Sequence, residues 1–349
     1  MDLRKKRVTI YDIARALNLT ASTVSRSLNN NSRINEATRK LVIAKAREMN
    51  YRANSLASNL RKGKSQTIGI VVPRINQSFF ANVIAGIEGI TNEKNYNLII
   101  CQSNESHEKE IKCVNTLINQ HVDCIVISVS AEGDDYTHLQ NVIDHHIQLI
   151  QFDRVVEDIE SLKVVNNNEE ASREAVEHLI NAGYKRIALL AGPQNLDIFR
   201  DRKAGYLKAL RANKISVADE LILDAGSNNE HDAELIRRLL TLPNPPDAIF
   251  ASRDDFLALG VLEVANDLNI KVPEQLGICG YSNETFTRIT SPSLTTIDQY
   301  GVDMGKTIAR TYFDGLNDKA ETAVSTETIS IKPQVIVRTS TQRVKQIAT

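Results

Sequence analysis

No uninterrupted apolar run among the 349 residues approaches the roughly 18 that a membrane-spanning helix requires, so no span is expected. The charged opening, Met1-Asp2-Leu3-Arg4-Lys5-Lys6-Arg7, leads into a polar, helix-like stretch rather than the apolar segment and cleavage site of a secretory signal. The expected location is therefore the cytoplasm. Cysteine is scarce: Cys101, Cys113, Cys124 and Cys279 have no C-x-x-C spacing, and three of them stand in apolar contexts, which points to buried thiols rather than disulfides or metal ligands. Catalytic signatures are also missing, with no G-x-S-x-G, no H-E-x-x-H, no phosphate-cradling G-x-x-x-x-G-K-[ST] and no ordered Ser/His/Asp set. The seven histidines are scattered, and the adjacent His145 and His146 diverge on any regular element, so they are expected to face solvent rather than share a metal. The acidic pairs Asp134-Asp135 and Asp254-Asp255 are adjacent, which does not place two carboxylates across a scissile bond. Neither an enzyme nor a resident metal or cofactor is expected.

What is present is an ordinary soluble balance, 42% hydrophobic and 24% charged, over a length of two or three domains. The net charge of −1 hides an asymmetry. Residues 1–66 hold 15 Lys and Arg against 4 Asp and Glu, and the remainder 27 against 39. A basic first fifth on an acidic body points to a nucleic-acid-binding end joined to something else, and a solvated charge run would account only for Arg4 to Arg7.

The basic end has helical periodicity. Ile10, Ile13, Ala14 and Leu17 mark a first helix, with Thr9 as N-cap and Asp12 as its acidic partner three residues on. Asn18-Leu19-Thr20 supplies a break and a new cap, and Val24 and Leu28 mark the buried stripe of a second helix to about Asn29. That leaves Ala21, Ser22, Ser25, Arg26 and Asn29 outward, small or hydrogen-bonding side chains suited to base edges and phosphates. A third helix, Asn35 to about Met49, places Thr38, Leu41, Val42, Ala46 and Met49 on one face. Together these make a helix-turn-helix DNA-reading unit. In 51–66, Asn54 can cap a two-turn helix from Ser55 to Arg61 closed by Gly63, marginal unless something packs on it. Leu56 and Leu60 suit a dimer contact or a minor-groove wedge, and a plain linker is the competing reading.

After Gln66, apolar runs alternate with amphipathic helices. Strands are expected at Thr67–Val72, Asn97–Cys101, Cys124–Val129, Gln148–Phe152, Arg186–Ala191, Ala248–Ala251 and Gly277–Tyr281. Helices include Ala81–Lys94, Ala171–Ala182, Arg200–Ala212, Glu230–Leu240 and Phe256–Leu268. This alternation predicts parallel sheets covered on both faces, in two lobes, with a ligand outside the carboxyl ends of the strands. Those ends carry Phe79, Phe80, Asp153, Arg154, Arg202, Arg253, Asp254 and Asp255, rings and charged forks that suit a polyhydroxylated ligand. Core packing competes for the two phenylalanines, and a surface ion pair for Asp153 and Arg154.

Several stretches form an ordered series: Val8-Thr9-Ile10-Tyr11-Asp12-Ile13-Ala14, Ser22-Thr23-Val24-Ser25-Arg26-Ser27-Leu28-Asn29, Met49-Asn50-Tyr51-Arg52-Ala53-Asn54, Leu56-Ala57-Ser58-Asn59-Leu60-Arg61, Gly86-Ile87-Glu88, Phe152-Asp153-Arg154, His178 to Ala188, Arg202-Lys203-Ala204-Gly205-Tyr206 and Asp255-Phe256-Leu257-Ala258-Leu259-Gly260. The series resembles the LacI/GalR family of bacterial transcription regulators along nearly the whole chain. The resemblance implies an N-terminal all-α helix-turn-helix domain (1–50), a hinge (51–66) and an α/β periplasmic-binding-protein-like sensor of two doubly wound parallel-sheet lobes (67–340). The first lobe would take about 67–165 and 297–325, the second about 166–296 and 326–340, linked by three crossings, with a short tail at 341–349.

It further implies a cytoplasmic homodimeric repressor on pseudo-palindromic double-stranded operator DNA. Ile10, Tyr11, Thr20, Ala21, Ser22, Ser25, Arg26 and Asn29 would contact DNA from the helical domain, and Asn54, Ala57, Ser58 and Leu60 from the hinge. Ser282 and Gln299 would join the effector set. Four departures stand out: Ala53 and Ser78 replace common prolines, and Asn167 and Ser282 replace common aspartates. Two missing carboxylates beside Arg74, Arg154, Arg202 and Arg253 suggest an anionic carbohydrate-like effector, a sugar acid or sugar phosphate. The tail from Thr339 lacks a leucine heptad, which predicts a dimer rather than a tetramer. The competing reading is a cytoplasmic solute-binding or carbohydrate-processing protein with an incidental basic N-terminus.

Overall fold

The structure is a computed structural model that describes residues 8–29, 31–51, 64–226, 232–316 and 326–343. The chain divides into two units, Met1–Ser65 and Gln66–Thr349. In the first, Thr9 caps α1 (Ile10–Leu17): its hydroxyl accepts the Asp12 N–H and its own N–H donates to the Asp12 carboxylate at 2.9 Å. Asn18 ends the helix in the left-handed region, φ 53°, which asparagine tolerates well. Thr20 then caps α2 (Ala21–Leu28) and Asn35 caps α3 (Glu36–Glu48). Ile13, Ala14, Val24, Val42 and Ala46 meet in one small core. Leu41, expected on the buried face of α3, is instead 54% exposed. The stripe runs through Thr38, Val42, Ala46 and Met49, and Leu41 falls one position off it.

The second unit begins with β1 (Thr67–Val72), α4 (Ser78–Glu93), β2 (Asn97–Gln102), α5 (His107–Asn119), β3 (Cys124–Ile127), α6 (Thr137–Asp144), β4 (Gln148–Phe152) and β5 (Leu162–Asn166). It continues through α7 (Asn168–Asn181), β6 (Ile187–Ala191), α8 (Asp197–Ala212), β7 (Ile222–Asp224), α9 (Asp232–Leu240), β8 (Ala248–Ala251), α10 (Asp255–Asp267) and β9 (Gly277–Cys279). It ends with β10 (Thr296–Asp298), α11 (Gly301–Gly315), β11 (Thr328–Ile331) and β12 (Gln334–Ile336).

Two parallel sheets form, β11-β5-β4-β3-β1-β2 and β7-β6-β8-β9, while β10 and β12 make an antiparallel pair. The central first-lobe strands β1 and β3 are almost continuously apolar because both faces are covered. Ile68, Ile70 and Val72 point at α4 and α11, whereas Val71, Ile125 and Ile127 point at α5 and α6. In the second lobe α7 and α8 cover one face, and α9 and α10 the other. The chain crosses between lobes after β5, after β10 and after β11.

Three expectations are corrected here. Residues 328–331, assigned to the second lobe, pair in parallel with β5 and give the first sheet its sixth strand. The strands β5, β7, β10, β11 and β12 were not foreseen, being short or lying beyond the clear alternation. The tail starts later than 341, because Thr341 is fully buried and its hydroxyl sits 2.7 Å from that of Thr295. His145 and His146 do face solvent, just past the end of α6.

Helix contact explains two of the quoted motifs. A side chain on Gly86 of α4 would collide with the Val302 carbonyl of α11, and one on Gly305 with the Val83 carbonyl. Gly205 of α8 stands in the same relation to the Glu169 carbonyl of α7. In both pairs the backbones approach too closely for any larger residue.

Candidate functional site

The carboxyl ends of the two parallel sheets face one another across a cleft. Phe79, Phe80, Asp153, Arg154, Arg202, Asp254, Ser282 and Gln299, all expected from the sequence, line a single cavity of about 220 Å³. That volume is below the roughly 300–1,000 Å³ of drug-sized ligand pockets, so the space suits a small metabolite. Phe79 and Phe80 also belong to the first-lobe core, with rings edge to face at 5.2 Å. Core packing and pocket lining are thus the same role for these two side chains.

Asp255, expected among them, does not line the cavity. It is fully buried, its Oδ1 accepts the Thr296 hydroxyl at 2.6 Å and its Oδ2 the Glu284 N–H at 2.8 Å. Burial pushes its carboxyl up, partly offset by those two hydrogen bonds, to about 7. The first residue of a helix points inward here because its neighbour Asp254 is the N-cap and accepts the Leu257 N–H.

The arginines differ from one another. Arg154 makes a two-pronged ion pair with Glu105, Nη1 to Oε2 at 2.7 Å and Nη2 to Oε1 at 3.2 Å, and Arg74 Nε lies 3.9 Å from the same carboxylate. Burial pushes the Glu105 carboxyl up, but Arg154 and the Ala131 N–H outweigh it and hold it below its ordinary value. Arg253 donates to Asp232 at 2.6 Å and to Asp254 at 3.1 Å. Arg202 gives its hydrogen bonds to neutral oxygens: Nε to Asn168 Oδ1 at 3.0 Å, Nη1 to the Ser252 and Arg253 carbonyls at 2.8 and 3.1 Å. Its guanidinium lies 3.5 Å from the centre of the Tyr281 ring, which fixes its plane.

Asp153 is 4% exposed and its Oδ1 has no hydrogen-bond partner among the described residues. Burial pushes its carboxyl up, with Arg154 and Arg202 pulling the other way. It holds a left-handed backbone, φ 58°, and Ser282 a more strained one, φ 113°. The Ser282 hydroxyl donates to Gln299 Oε1 at 3.2 Å, and Gln299 Nε2 reaches Asn166 Oδ1 at 3.3 Å, tying two crossings together.

Among the described residues, two polar bridges join the lobes at the cleft. Ser78, at the first position of α4, gives its N–H to Glu284 Oε1 at 2.9 Å and its hydroxyl to the other oxygen. A proline at 78 could supply neither, so this departure has a physical role. Asn195 Nδ2 donates to the Ala131 carbonyl at 2.6 Å. Asn167, read as a lost pocket carboxylate, is an exposed cap that accepts the Glu170 N–H and has no bearing on the pocket. Sequence reasoning missed Glu105 and Glu284, although each follows a strand end and the same rule would have found them.

In the basic unit, Thr20, Ser22, Arg26 and Asn29 are exposed and Ala21 and Ser25 half-buried along α2. Tyr11 is 68% exposed, while Ile10 packs against the three-helix core. The interior positions are Val24 and Ser27, and the Ser27 hydroxyl donates back to the Thr23 carbonyl at 2.8 Å. Asn29 Nδ2 donates to the Ser25 carbonyl at 2.9 Å. Asn54, Ala57, Ser58 and Leu60 lie outside the described residues. No described helix is long and apolar enough to cross a membrane.

Comparison with known proteins agrees with both units. The profile of bacterial regulatory proteins of the lacI family matches residues 9–54, and that of a periplasmic binding protein-like domain matches 176–341. Catabolite control protein A of Priestia megaterium is 30% identical over 336 residues, 96% of this chain and 99% of its own. The probable HTH-type transcriptional repressor ExuR of Bacillus subtilis is 32% identical, over 83% of this chain and 86% of its own. Among solved structures, the lac repressor dimer bound to operator and an anti-inducer superposes with a TM-score of 0.82 at 23% identity, covering 96% of this chain and 99% of that one, a likeness of fold. These relatives are transcriptional regulators rather than enzymes.

Proposed function

Because the chain belongs to the LacI family of bacterial regulatory proteins, we propose that it is a homodimeric transcriptional repressor whose affinity for a pseudo-palindromic operator is set by a small carbohydrate-like metabolite in the cleft. It acts by binding alone. The helix α2 enters the major groove, with Arg26 and Asn29 offering base-edge and phosphate hydrogen bonds and Thr20, Ser22 and Ser25 packing on the backbone. Ala21 and Ser22 offer few two-pronged base contacts, so DNA shape contributes much of the specificity.

The observation that carries the effector reading is the buried, unpartnered Oδ1 of Asp153 in the cavity that Arg202 lines. A buried polar atom without a partner costs about 1–3 kcal/mol, and a ligand hydroxyl removes that cost. Arg202 gives Nε and Nη1 to neutral oxygens and makes no ion pair among the described residues, so its guanidinium stands at the cavity as a cationic donor. That donor suits one anionic group. Since Arg74, Arg154 and Arg253 already face carboxylates, the effector we propose carries a single acid function, as in a sugar acid or sugar phosphate. Carboxylates equal arginines around the cavity, and this favours a neutral sugar as the second reading.

A ligand that binds one arrangement of the lobes more tightly shifts the equilibrium between arrangements, and the Ser78–Glu284 and Asn195–Ala131 bridges are the contacts it would strengthen or release. Thermal shift against neutral sugars, sugar acids and sugar phosphates tests the reading, since a ligand at 100 times its Kd adds about 2.7 kcal/mol. Operator affinity with and without each hit then gives the response. Tight calorimetric binding of a neutral sugar, with none of uronates, would sink the anionic assignment. A flat dependence of DNA affinity on salt would sink the regulator itself, because a dimer neutralising several phosphates has a steep log–log slope.

A further inference from the structure

Behind the first-lobe wall of the cleft, three side chains that the sequence separates come together. His107 and Glu110 lie one turn apart at the start of α5, and His138 is in the first turn of α6, 28 positions beyond Glu110. Glu110 is fully buried. Its Oε2 accepts the Ser130 N–H, and its Oε1 faces His138 Nε2 at 2.9 Å and His107 Nδ1 at 3.9 Å.

The second distance is too long for a hydrogen bond. His107 Nδ1 is nonetheless buried and has no partner among the described residues. That leaves a nitrogen donor facing a buried carboxylate, with a second imidazole 5.3 Å away between ring centres, and nothing yet to bind it. One donor atom from each residue lies within 4.8 Å of the others. On a tetrahedral zinc ion with bonds of about 2.0–2.2 Å, neighbouring donor atoms stand about 3.3–3.5 Å apart. The 2.9 and 3.9 Å separations fall on either side of that spacing, so small side-chain rotations suffice.

We propose that His107, Glu110 and His138 form a binding site for a zinc-class divalent cation, with water completing the shell. Two imidazoles and one carboxylate suit zinc, whereas calcium and magnesium take oxygen ligands. The cation replaces the His138–Glu110 hydrogen bond, gives His107 Nδ1 a partner and neutralises the buried carboxylate. Glu110 is held in place from its other oxygen by the Ser130 N–H, the outer-shell support that metal ligands need. The Tyr136 ring closes one side, edge to face with His107 at 6.3 Å, and the backbone of Gly133 closes another, since any side chain there would collide with the His107 ring. The site also adjoins the cleft. Ser130 is followed by Ala131, which lines the cavity, gives its N–H to Glu105 and accepts from Asn195 of the other lobe.

The test uses untagged full-length protein freed of metal by chelator dialysis, then titrated with zinc alone against a chromophoric chelator, and with cobalt alone by absorption. The expected result is one zinc per chain, with affinity at least 10-fold weaker in His107→Ala and in Glu110→Gln and unchanged in Cys113→Ser. The cobalt spectrum should lack a thiolate charge-transfer band. Melting of the metal-free variants reports their folding, and the partly exposed His107 gives a variant that decides the question if Glu110→Gln fails to fold. Substoichiometric zinc, affinity unaltered in His107→Ala, or a thiolate band would each overturn the proposal.

Discussion

Asp153 and Asp255 are both buried aspartates beyond the carboxyl ends of strands, yet they stand in opposite conditions. Asp153 keeps an oxygen without a partner, whereas both oxygens of Asp255 are satisfied from within the protein. Asp153→Asn should therefore raise the melting temperature of the ligand-free protein by a few degrees and weaken effector binding at least tenfold, by calorimetry; a variant that binds normally removes Asp153 from the site. For Asp255 the consequence is pH dependence. Its folded value near 7 lies above the ordinary 3.8, so the folded state holds a proton that the unfolded state has released. The stability it contributes is complete below about pH 4 and is lost as pH rises through 7, on the order of a few kcal/mol. Melting curves at pH 5 and pH 8 should show wild type losing more over this interval than Asp255→Asn, and equal losses would contradict the assignment. Ser78 makes a further point at this scale: Ser78→Pro removes both donors to Glu284, and we expect altered effector affinity with the first-lobe core intact.

At the scale of elements, α2 is eight residues long and depends on its cap and its packing on α1 and α3. The Thr20 hydroxyl accepts the Thr23 N–H at 3.2 Å, and Thr20→Ala should cost roughly 0.5–2 kcal/mol in stability, read from denaturant midpoints. Arg26→Ala should leave that midpoint within about 0.5 kcal/mol of wild type while weakening operator binding, because Arg26 is exposed and carries no packing. If it contacts a phosphate, the salt slope falls by about 1; if it reads a base, specificity at one position relaxes instead. The helix pair α4 and α11 is a different case, held by close backbone approach at Gly86 and Gly305. Neither glycine has room for a methyl group, so Gly305→Ala should separate the helices and lower stability by a few kcal/mol.

For the whole molecule, the charge division is the informative quantity: 15 basic against 4 acidic residues in the first 66, on a body of opposite sign. A body that repels DNA and an end that attracts it orient the encounter, and salt should slow association accordingly. We expect light scattering to give twice the chain mass of 38.9 kDa, and four times that mass would contradict the dimer. The lobes are joined by three crossings, and the side chains at two of them, Asn166 and Gln299, are hydrogen-bonded to each other, with Gln299 also accepting from Ser282 at the cavity. A ligand touching Ser282 would thereby be linked to the segments that join the lobes.

Periodicity and caps are local, so the sequence alone determined the three short helices, their caps at Thr9 and Thr20 and the strands at Thr67–Val72, Gln148–Phe152 and Ala248–Ala251. The rule that ligands meet strand ends picked out seven residues that line the cavity, Phe79, Phe80, Asp153, Arg154, Arg202, Arg253 and Asp254, and the family resemblance added Ser282 and Gln299. Tertiary structure decided the rest. That Asp255 turns inward while Asp254 caps, that β11 returns to the first sheet, and that Glu105 already occupies Arg154 all depend on partners far away in the chain. The gathering of His107, Glu110 and His138 is the clearest instance: the first two show helical spacing, but the third arrives only because α5 and α6 pack on the same face of one sheet.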